Sequence, residues 1–407
     1  MRGRTLKLAL AVLEAALATA LAVTLVGCSG AGSTAPSGTG ATTGTAADTI
    51  KIGAIVSQTG TYAGLGTPEA KVLDMEAKRI NDAGGINGKK VEVIIADDGT
   101  DEAKAVAAAS KLIDQDKVIA IIGATGTGQT MAVRGDVDKA AIPQVSMAGG
   151  SAITASPLDP LVFQTPWSNK LVIPYELTYM KKHGVKKLAV ISDTGGFGKD
   201  GLAVLQAEAP KAGVEVVSSQ TFNVGDTDFS AQLTKIKGAN PDAILVISSG
   251  KEAAAAVQQA KQLGLKTQLY GTHGNARMEF IQGAGPAAEG FIFPAGKILL
   301  PESYGAGTEA YKVATDFVTR YGAANNGEKP STFAGHAYDA INLIAEAAKR
   351  VQGQLTPAAL RDEIEKTTGF VGIGGTFNFT PTDHNGLTAA DLNMYQVKNG
   401  TWVIAPN

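Results

Sequence analysis

The fold is decided by the stretch Val118-Ile119-Ala120-Ile121-Ile122-Gly123-Ala124-Thr125-Gly126-Thr127-Gly128-Gln129-Thr130. Five apolar residues, then glycines and hydroxyls, then a helical pattern over 131–141 predict a buried strand, a tight turn and the start of a helix. Free backbone N–H groups and the positive end of the helix dipole point beyond such a strand, where Thr127 and Thr130 add hydroxyl donors. We therefore expect this turn to bind an anion.

Two other interpretations of this turn stay open. Residues 123–130 match the phosphate loop G-x-x-x-x-G-K-[ST] except that Gln129 replaces the lysine. Without the lysine the phosphates of a nucleotide lose their point charge, so nucleotide hydrolysis is disfavoured. The second alternative is a glycine-rich turn that only packs. We favour a carboxylate or a similar small anion as the ligand.

The N-terminus has the pattern of a secretory signal over residues 1–27. Arg2, Arg4 and Lys7 precede an apolar stretch that is too short and too interrupted for a convincing membrane span. The stretch ends at Leu25-Val26-Gly27-Cys28, and Cys28 is the only cysteine, which excludes an internal disulfide. The pattern resembles the lipobox of bacterial lipoproteins, which implies a lipid on Cys28. An ordinary signal with a leftover cysteine is the alternative.

Composition limits the classes of partner. Residues 28–48 are almost entirely Gly, Ser, Thr and Ala, which predicts a flexible tether that cannot bury enough surface to fold. The chain has 36 Lys and Arg against 38 Asp and Glu, and this near-neutral balance argues against a protein that binds nucleic acid or anionic membranes.

Strand and helix patterns alternate along the rest of the chain. This alternation predicts an α/β fold with parallel sheets, in which ligands bind beyond the carboxyl ends of the strands. A second unit begins near Asn169, and consecutive helical patterns over 304–321, 333–351 and 357–367 suggest that the chain then returns to the first unit. The predicted strands are 50–56, 91–96, 118–122, 142–147, 161–164, 187–192, 214–222, 243–247, 268–270, 392–397 and 401–404; the other predicted helices are 68–81, 102–115, 131–141, 170–183, 198–212, 229–237 and 252–263.

Several short motifs occur in an order and spacing that resemble one known family, the solute-binding proteins of ABC importers in the branched-chain amino-acid (leucine/isoleucine/valine) branch. The resemblance covers essentially 50–402. The motifs are Ile52-Gly53 through Thr59-Gly60, Ile80-Asn81-Asp82-Ala83-Gly84-Gly85-Ile86-Asn87-Gly88, Asp97-Asp98, Ile122-Gly123, Ile142-Pro143, Phe197-Gly198, Asp228-Phe229-Ser230 and Ala287-Ala288-Glu289-Gly290.

This resemblance implies the type I periplasmic-binding fold, with two Rossmann-like lobes joined by three crossover segments. One lobe would contain 49–168 and about 297–380, and the other 169–296 and about 381–407. The resemblance further implies an extracytoplasmic monomer, tethered to the membrane, that delivers a ligand to a permease and an ATPase on other chains. It implies neither enzymatic activity nor a cofactor or metal.

Carried over by position, the carboxylate-binding elements of the family fall on Thr127 with its turn, including Thr125, and on Ala148-Gly149-Gly150. Amino-acid binders have a threonine where this chain has Gly150. An aromatic wall falls on Phe197, and a further pocket aromatic on Phe333. The neighbouring strand-end loops contribute Leu65 and Ser249 to the expected site.

The most informative departure from the family is His273, which stands where amino-acid binders have a glutamate that holds the α-ammonium group. A histidine supplies no negative charge, and a protonated one would repel an ammonium group. The sequence therefore indicates a ligand without an α-ammonium group, such as an aromatic monocarboxylate. Thr272-His273-Gly274 and the segment 331–339 resemble the sub-branch associated with aromatic carboxylates. The alternatives are a cleft histidine without ligand contact at His273 and a core residue at His336.

Other chemistry finds little support in the sequence. The four histidines lack zinc-binding spacing, and no G-x-S-x-G motif is present. Asp97 and Asp98 face opposite sides of a strand, which disfavours a catalytic dyad. A ligand-sensing protein that signals to a membrane partner remains the alternative to transport. We expect transport, since no transmembrane or signalling segment follows the binding domain in this sequence.

Overall fold

The structure is a computed structural model, and it describes residues 49–407. The predicted signal segment, the tether and Cys28 lie outside the described residues. In the described part of the chain, no helix combines the length and the apolar character needed to cross a membrane.

The first sheet consists of five parallel strands, and helices connect them. The strands are β1 (Ile50–Val56), β2 (Val91–Asp97), β3 (Ile121–Gly123), β4 (Gln144–Ser146) and β5 (Val162–Gln164). The helices are α1 (Ala63–Asp82), α2 (Glu102–Asp114) and α3 (Thr127–Ala140). The strand order is β2-β1-β3-β4-β5, with Gly53 of β1 paired to Ile94 and to Ile121. All carboxyl ends therefore meet at one edge.

The second sheet has seven strands. Its strands are β6 (Lys187–Asp193), β7 (Glu215–Phe222), β8 (Ala243–Ile247), β9 (Gln268–Gly271), β10 (Ile292–Gly296), β13 (Leu392–Lys398) and β14 (Thr401–Ile404), while β11 (Phe370–Val371) and β12 (Thr376–Phe377) form a separate hairpin. Its helices are α4 (Asn169–Lys182), α5 (Gly196–Ala212), α6 (Ser230–Gly238), α7 (Glu252–Gln262) and α8 (Met278–Ala284). The order is β14-β13-β10-β9-β8-β6-β7, and only β13 and β14 are antiparallel to their neighbours.

Three later helices return to the first sheet: α9 (Glu309–Ala324), α10 (Thr332–Arg350) and α11 (Pro357–Glu365). Helix α10 packs along α1. The buried carboxylate of Glu76 on α1 joins these helices, because it accepts hydrogen bonds from Arg320 on α9 and from Asn342 on α10. Helices α9 and α10 thus contact α1, a helix of the first sheet.

The chain passes between the two sheets three times: after β5, after β10 and before β13. The first and third passages are hydrogen bonded, since Gln164 N donates to His384 O at 3.0 Å and Asn385 Nδ2 donates to Pro166 O at 2.7 Å. Two lobes with parallel-sheet cores and three crossovers confirm the predicted fold class. The precise lobe boundaries given above stay a prediction.

The structure corrects several local predictions. Helix α1 begins at Ala63 rather than at residue 68, because Gly66 lets the helix approach the backbone of Ser57, where a β-carbon would overlap. Helix α3 likewise begins at Thr127 rather than at residue 131. Strand β10 and helix α8 were not predicted. His384 lies in the polar stretch 382–386, which is typical of a turn, but its ring is buried against Phe163.

Candidate functional site

A narrow cavity of about 20 Å³ lies between the two sheets, where the carboxyl ends of their strands face each other. This volume holds about one water molecule, so the residues around the cavity must move apart to admit a larger ligand. The lining comes from segments that follow β3, β4, β5, β6, β8 and β9 and from the N-terminal parts of α1 and α10. The lining residues are Leu65, Thr125, Gly126, Thr127, Met147, Ala148, Gly149, Pro166, Phe197, Ser249, His273, Gly274, Phe333 and His336.

The structure thus brings together all of the predicted site residues except Gly150. That glycine lies behind the lining, and a β-carbon at this position would overlap the side chain of Thr127. A threonine at residue 150, as in the amino-acid binders, would therefore clash with the side chain of Thr127 in this chain. Thr127 occupies this space instead.

Thr127 provides the clearest open hydrogen-bonding group. It is the first residue of α3, its side chain is buried, and Oγ1 has no hydrogen-bond partner among the described residues. The first N–H groups of a helix also lack intrahelical partners, and the N-cap residue Gly126 offers no side chain to them. A hydroxyl group and helix N–H groups therefore converge on the cavity.

The other two threonines of this turn are engaged elsewhere. Thr125 Oγ1 accepts from Ser57 N at 3.0 Å and donates to the buried carboxyl group of Glu69. Burial raises the pKa of Glu69 well above its usual value. Thr130 Oγ1 bonds to Ala124 O at 3.2 Å and to the hydroxyl of Ser146 at 3.1 Å, so Thr130 does not add the donor that the sequence suggested.

The turn Ala148-Gly149-Gly150 is held by donors outside the cavity. Gln164 Nε2 donates to Ala148 O at 2.7 Å and to Gly150 O at 3.0 Å, and Asn169 N donates to Gly149 O at 2.9 Å. Because all three carbonyl oxygens are bound in this way, the turn is fixed in position beside Thr127.

Aromatic rings form two other walls. Phe197, at the start of α5, meets His273 in an edge arrangement with ring centroids 5.4 Å apart. Phe333, at the start of α10, meets His336 in the same way at 5.8 Å, and it packs with Leu65. The cavity therefore combines a polar wall at Thr127 with apolar rings.

Both cavity histidines are buried and neutral at pH 7. Burial lowers the pKa of His273 to about 4, although a polar interaction of the imidazole with the backbone of Trp167 acts to raise it. Burial and the nearby His273 lower the pKa of His336 to about 3. In the described structure, Nδ1 and Nε2 of His273 and Nδ1 of His336 lack hydrogen-bond partners of ordinary geometry.

A group of buried and half-buried polar residues from both lobes lies beside the cavity, and we call it the rim cluster: Thr61, Tyr62, Asp193, Glu252 and Arg277. Thr61 Oγ1 donates to the carboxylate of Glu252 at 2.6 and 2.7 Å, and Gly225 N donates to Glu252 at 2.7 Å. The rim cluster therefore contains a hydrogen bond between the lobes.

The charges of the rim cluster are strongly desolvated. Burial raises the pKa of Asp193 to about 6 and lowers the pKa of Arg277 to about 10. Arg277 donates to the backbone carbonyls of Gly274 and Gly250, and its guanidinium lies 5.9 Å from the ring centroid of Phe333. Arg277 thus holds the turn that carries His273.

His336 and the rim cluster were not among the site residues predicted from the sequence. A signal for His336 was present, because His336 follows Phe333 by three residues and positions i and i+3 share one helix face. The rim cluster had no such signal, since Thr61 and Glu252 are distant in sequence.

Two lobes that enclose a neutral cavity at the ends of their parallel strands define the class of two-lobed solute-binding proteins. Residues 49–401 match the family described as Periplasmic binding protein, and the chain belongs to this family. The family is made up of solute-binding proteins, and relatives of this chain are branched-chain amino-acid binding proteins.

Individual relatives agree with this assignment. The chain is 26% identical to the leucine-, isoleucine-, valine-, threonine- and alanine-binding protein of Pseudomonas aeruginosa, over 79% of this chain and 84% of that protein. An extracellular ligand-binding receptor from Rhodopseudomonas palustris superposes with a TM-score of 0.82 at 30% identity, covering 88% of this chain and 99% of the receptor. A branched-chain amino-acid substrate-binding protein from Streptococcus pneumoniae, in complex with isoleucine, gives 0.77 at 31% identity, covering 87% and 98%.

Proposed function

We propose that this protein is an extracytoplasmic receptor of an ABC importer that captures a small carboxylate without an α-ammonium group and delivers it to a membrane permease. The observation that carries the proposal is the buried hydroxyl of Thr127, which has no partner in the described part of the chain and lies in a cavity lined by neutral groups. An unsatisfied buried hydroxyl costs about 1–3 kcal/mol, and a ligand that accepts its hydrogen bond removes this cost.

The carboxylate end of the ligand suits the wall at Thr127. The hydroxyl and the first N–H groups of α3 are uncharged donors, and hydrogen bonds to an ionised acceptor are stronger than those between neutral groups. The N-terminal end of the helix dipole favours the negative charge as well. The rings of Phe197 and Phe333 would then cover the apolar part of the ligand.

The neutral lining argues against an ammonium group on the ligand. Among the described residues that line the cavity, none is aspartate or glutamate. Three acidic side chains described beside the lining, Glu69, Asp193 and Glu252, have hydrogen-bond partners within the protein. A buried ammonium group would therefore lack a counter-charge, which is unfavourable in a desolvated site.

Two matched pairs of acids test this proposal in thermal-shift and calorimetric titrations of the purified protein. Isocaproate and leucine share one skeleton and differ in the ammonium group, and so do phenylacetate and phenylglycine. At about 100 times its Kd, a ligand should stabilise the protein by roughly 2.7 kcal/mol. We expect the acids without ammonium to stabilise it. Stabilisation by leucine or phenylglycine but not by their partners would contradict the proposal.

The anchor on Cys28 is part of the same proposal. The lipobox pattern at residues 25–28 and the tether-like composition of 28–48 support it. A Cys28→Ala variant should move from the membrane fraction to the soluble extracytoplasmic fraction, whereas the control Ser37→Ala should stay with the membrane. Retention of Cys28→Ala in the membrane would contradict a lipid anchor.

Delivery to a permease is tested by uptake. Cells that lack this protein should take up less labelled isocaproate or phenylacetate, and the wild-type gene should restore uptake. Unchanged uptake together with measurable binding would point instead to a sensing role. Sedimentation of the purified protein as a dimer would contradict the expected monomer.

A further inference from the structure

Two histidines from opposite lobes meet at the cavity. His273 follows β9 of the second sheet, whereas His336 lies on α10, which packs on α1. Trp167, in the first crossover, lies close to both: its indole ring meets His336 at 5.6 Å, and its backbone lies beside His273. The two imidazoles therefore form a pair only when the lobes enclose the cavity.

The hydrogen-bonding groups of this pair are only partly used in the described structure. Nδ1 of His336 is buried without a partner, and neither ring nitrogen of His273 has a hydrogen bond of ordinary geometry, although the imidazole interacts with the backbone of Trp167. A neutral imidazole has one N–H donor and one acceptor nitrogen. The pair therefore presents both kinds of group to the cavity.

Only some ligand groups satisfy both a donor and an acceptor. An alkyl group satisfies neither, an ammonium group offers only donors, and a hydroxyl group offers a donor together with acceptor lone pairs. A buried polar group that stays unsatisfied is penalised, so the pair discriminates in favour of a hydroxyl.

The position of His273 locates this hydroxyl on the ligand. A methyl group at Gly149 would overlap Nε2 of His273, so the imidazole lies directly against the turn beside Thr127. The group that faces His273 is consequently close to the carboxylate bound at Thr127. This is the position of the substituent on the carbon next to the carboxylate.

We infer that the ligand is a 2-hydroxy acid, whose hydroxyl group is bound by the His273 and His336 pair. This inference rests on the proposed carboxylate site at Thr127 and adds the substituent that the site recognises. His336 is then a specificity-determining residue, since it supplies the second imidazole from the other lobe.

Two matched trios test the inference by calorimetric titration of the purified protein. Phenylacetate, mandelate and phenylglycine carry hydrogen, hydroxyl and ammonium on the same carbon, and isocaproate, 2-hydroxyisocaproate and leucine form the aliphatic trio. We expect the hydroxy acid of at least one trio to bind about tenfold or more tighter than its unsubstituted partner. Equal affinity of the hydroxy and unsubstituted acids in both trios would overturn the inference.

Variants of His336 sharpen the test. In His336→Phe, which keeps a ring but removes both nitrogens, the ratio of the affinities for the hydroxy acid and the unsubstituted acid should fall to nearly one, whatever the absolute affinities are. In His336→Gln, which keeps a donor and an acceptor, part of the preference should remain. The control His183→Phe, at an exposed histidine far from the cavity lining, should keep the full preference. A preference unchanged in His336→Phe would overturn the role of His336.

These outcomes separate the inference from the proposed function. Binding of unsubstituted acids without a hydroxyl preference contradicts only the hydroxyl inference. Binding of leucine and phenylglycine alone, or of no acid in either trio, contradicts the proposed carboxylate site itself. If His336→Phe fails to fold, the two wild-type trios still decide the question.

Discussion

The cavity contains buried polar atoms that have no partner within residues 49–407, whereas the adjacent rim cluster contains buried charges that are hydrogen bonded. Thr127 Oγ1 and the ring nitrogens of His273 represent the first kind. Glu252, which accepts from Thr61 and Gly225, and Arg277, which donates to two carbonyl oxygens, represent the second. Both regions lie between the same two lobes.

This difference assigns different tasks to the two regions. The rim cluster gains its hydrogen bond between the lobes without any ligand, so it favours closure for every ligand equally. Closure of the lobes around an empty cavity costs free energy, because buried polar groups lose water without gaining a hydrogen-bond partner. A ligand that bonds to these groups removes the cost. Affinity should therefore depend on both regions, while selectivity should depend on the cavity alone.

The largest expected effect comes from Gly149→Ala. The added methyl group would overlap Nε2 of His273 and crowd Phe197, so the cavity cannot close around a ligand. Overpacking of this kind costs typically 1–3 kcal/mol, and we expect Kd for a bound acid to rise about 100-fold in calorimetry. In the control Gly135→Ala, the methyl group meets no neighbouring atom, and affinity should stay unchanged. Wild-type affinity of Gly149→Ala would show that the ligand binds elsewhere.

A smaller effect is expected from Thr127→Val, which removes the open hydroxyl and keeps the shape of the side chain. Loss of a hydrogen bond to a charged group should weaken the binding of every carboxylate by about 1.5 kcal/mol. Thr319→Val, at an exposed position on α9, is the matched control. Equal titration curves for wild type and Thr127→Val would remove this hydroxyl from the site.

Thr61→Val tests the rim cluster. The substitution removes the hydrogen bond to Glu252 between the lobes and leaves the bond from Gly225. All ligands should bind about 1 kcal/mol more weakly, while the ratio of their affinities stays the same. A changed ratio would mean that the rim cluster contributes to selectivity, contrary to the division of tasks given above.

The smallest effect is a pH dependence that arises from the buried histidines. The pKa of His336 is lowered to about 3 in the folded protein, whereas a histidine in the unfolded chain has a pKa of about 6.5. As the pH falls below about 6.5, the unfolded chain therefore binds a proton that the folded protein does not. The free energy of unfolding of the ligand-free protein should therefore decrease at acid pH. When the pH is lowered from 7 to 6, the free energy of unfolding measured in urea should fall by about 0.7 kcal/mol less in His336→Phe than in the wild type.

The matched control for this pH dependence is His183→Phe, since His183 is exposed. It should follow the wild-type curve over the same interval. Identical losses in wild type and His336→Phe would show that His336 becomes protonated without penalty, which would contradict its buried, neutral state.

Much of the fold follows from local patterns in the sequence. The strand pattern over 50–56, apolar except for Lys51, and the alternation of strand and helix patterns predicted parallel sheets, and the structure confirms them. The glycine-rich turn at Thr127 and the aromatic residues Phe197 and Phe333 were predicted to lie at one site, and they line one cavity. Their role in ligand binding stays a prediction.

Other features depend on contacts that a local pattern does not encode. Strand β10 contains Pro294, which cannot donate a ladder hydrogen bond, and the pairing of β10 with the distant β13 gives it a place within the sheet. The hydroxyls of Thr125 and Thr130 seemed equivalent to that of Thr127 in the sequence. Only the folded chain shows that Glu69 and Ser146 engage the first two.

A crystal structure of the protein with isocaproate or phenylacetate would test the central claim most directly. We predict that a carboxylate oxygen of the ligand lies within about 3.2 Å of Thr127 Oγ1, with the apolar part of the ligand against Phe197 and Phe333. A ligand bound outside this cavity, or one whose carboxylate faces Arg277 while the hydroxyl of Thr127 stays unpartnered, would contradict the account.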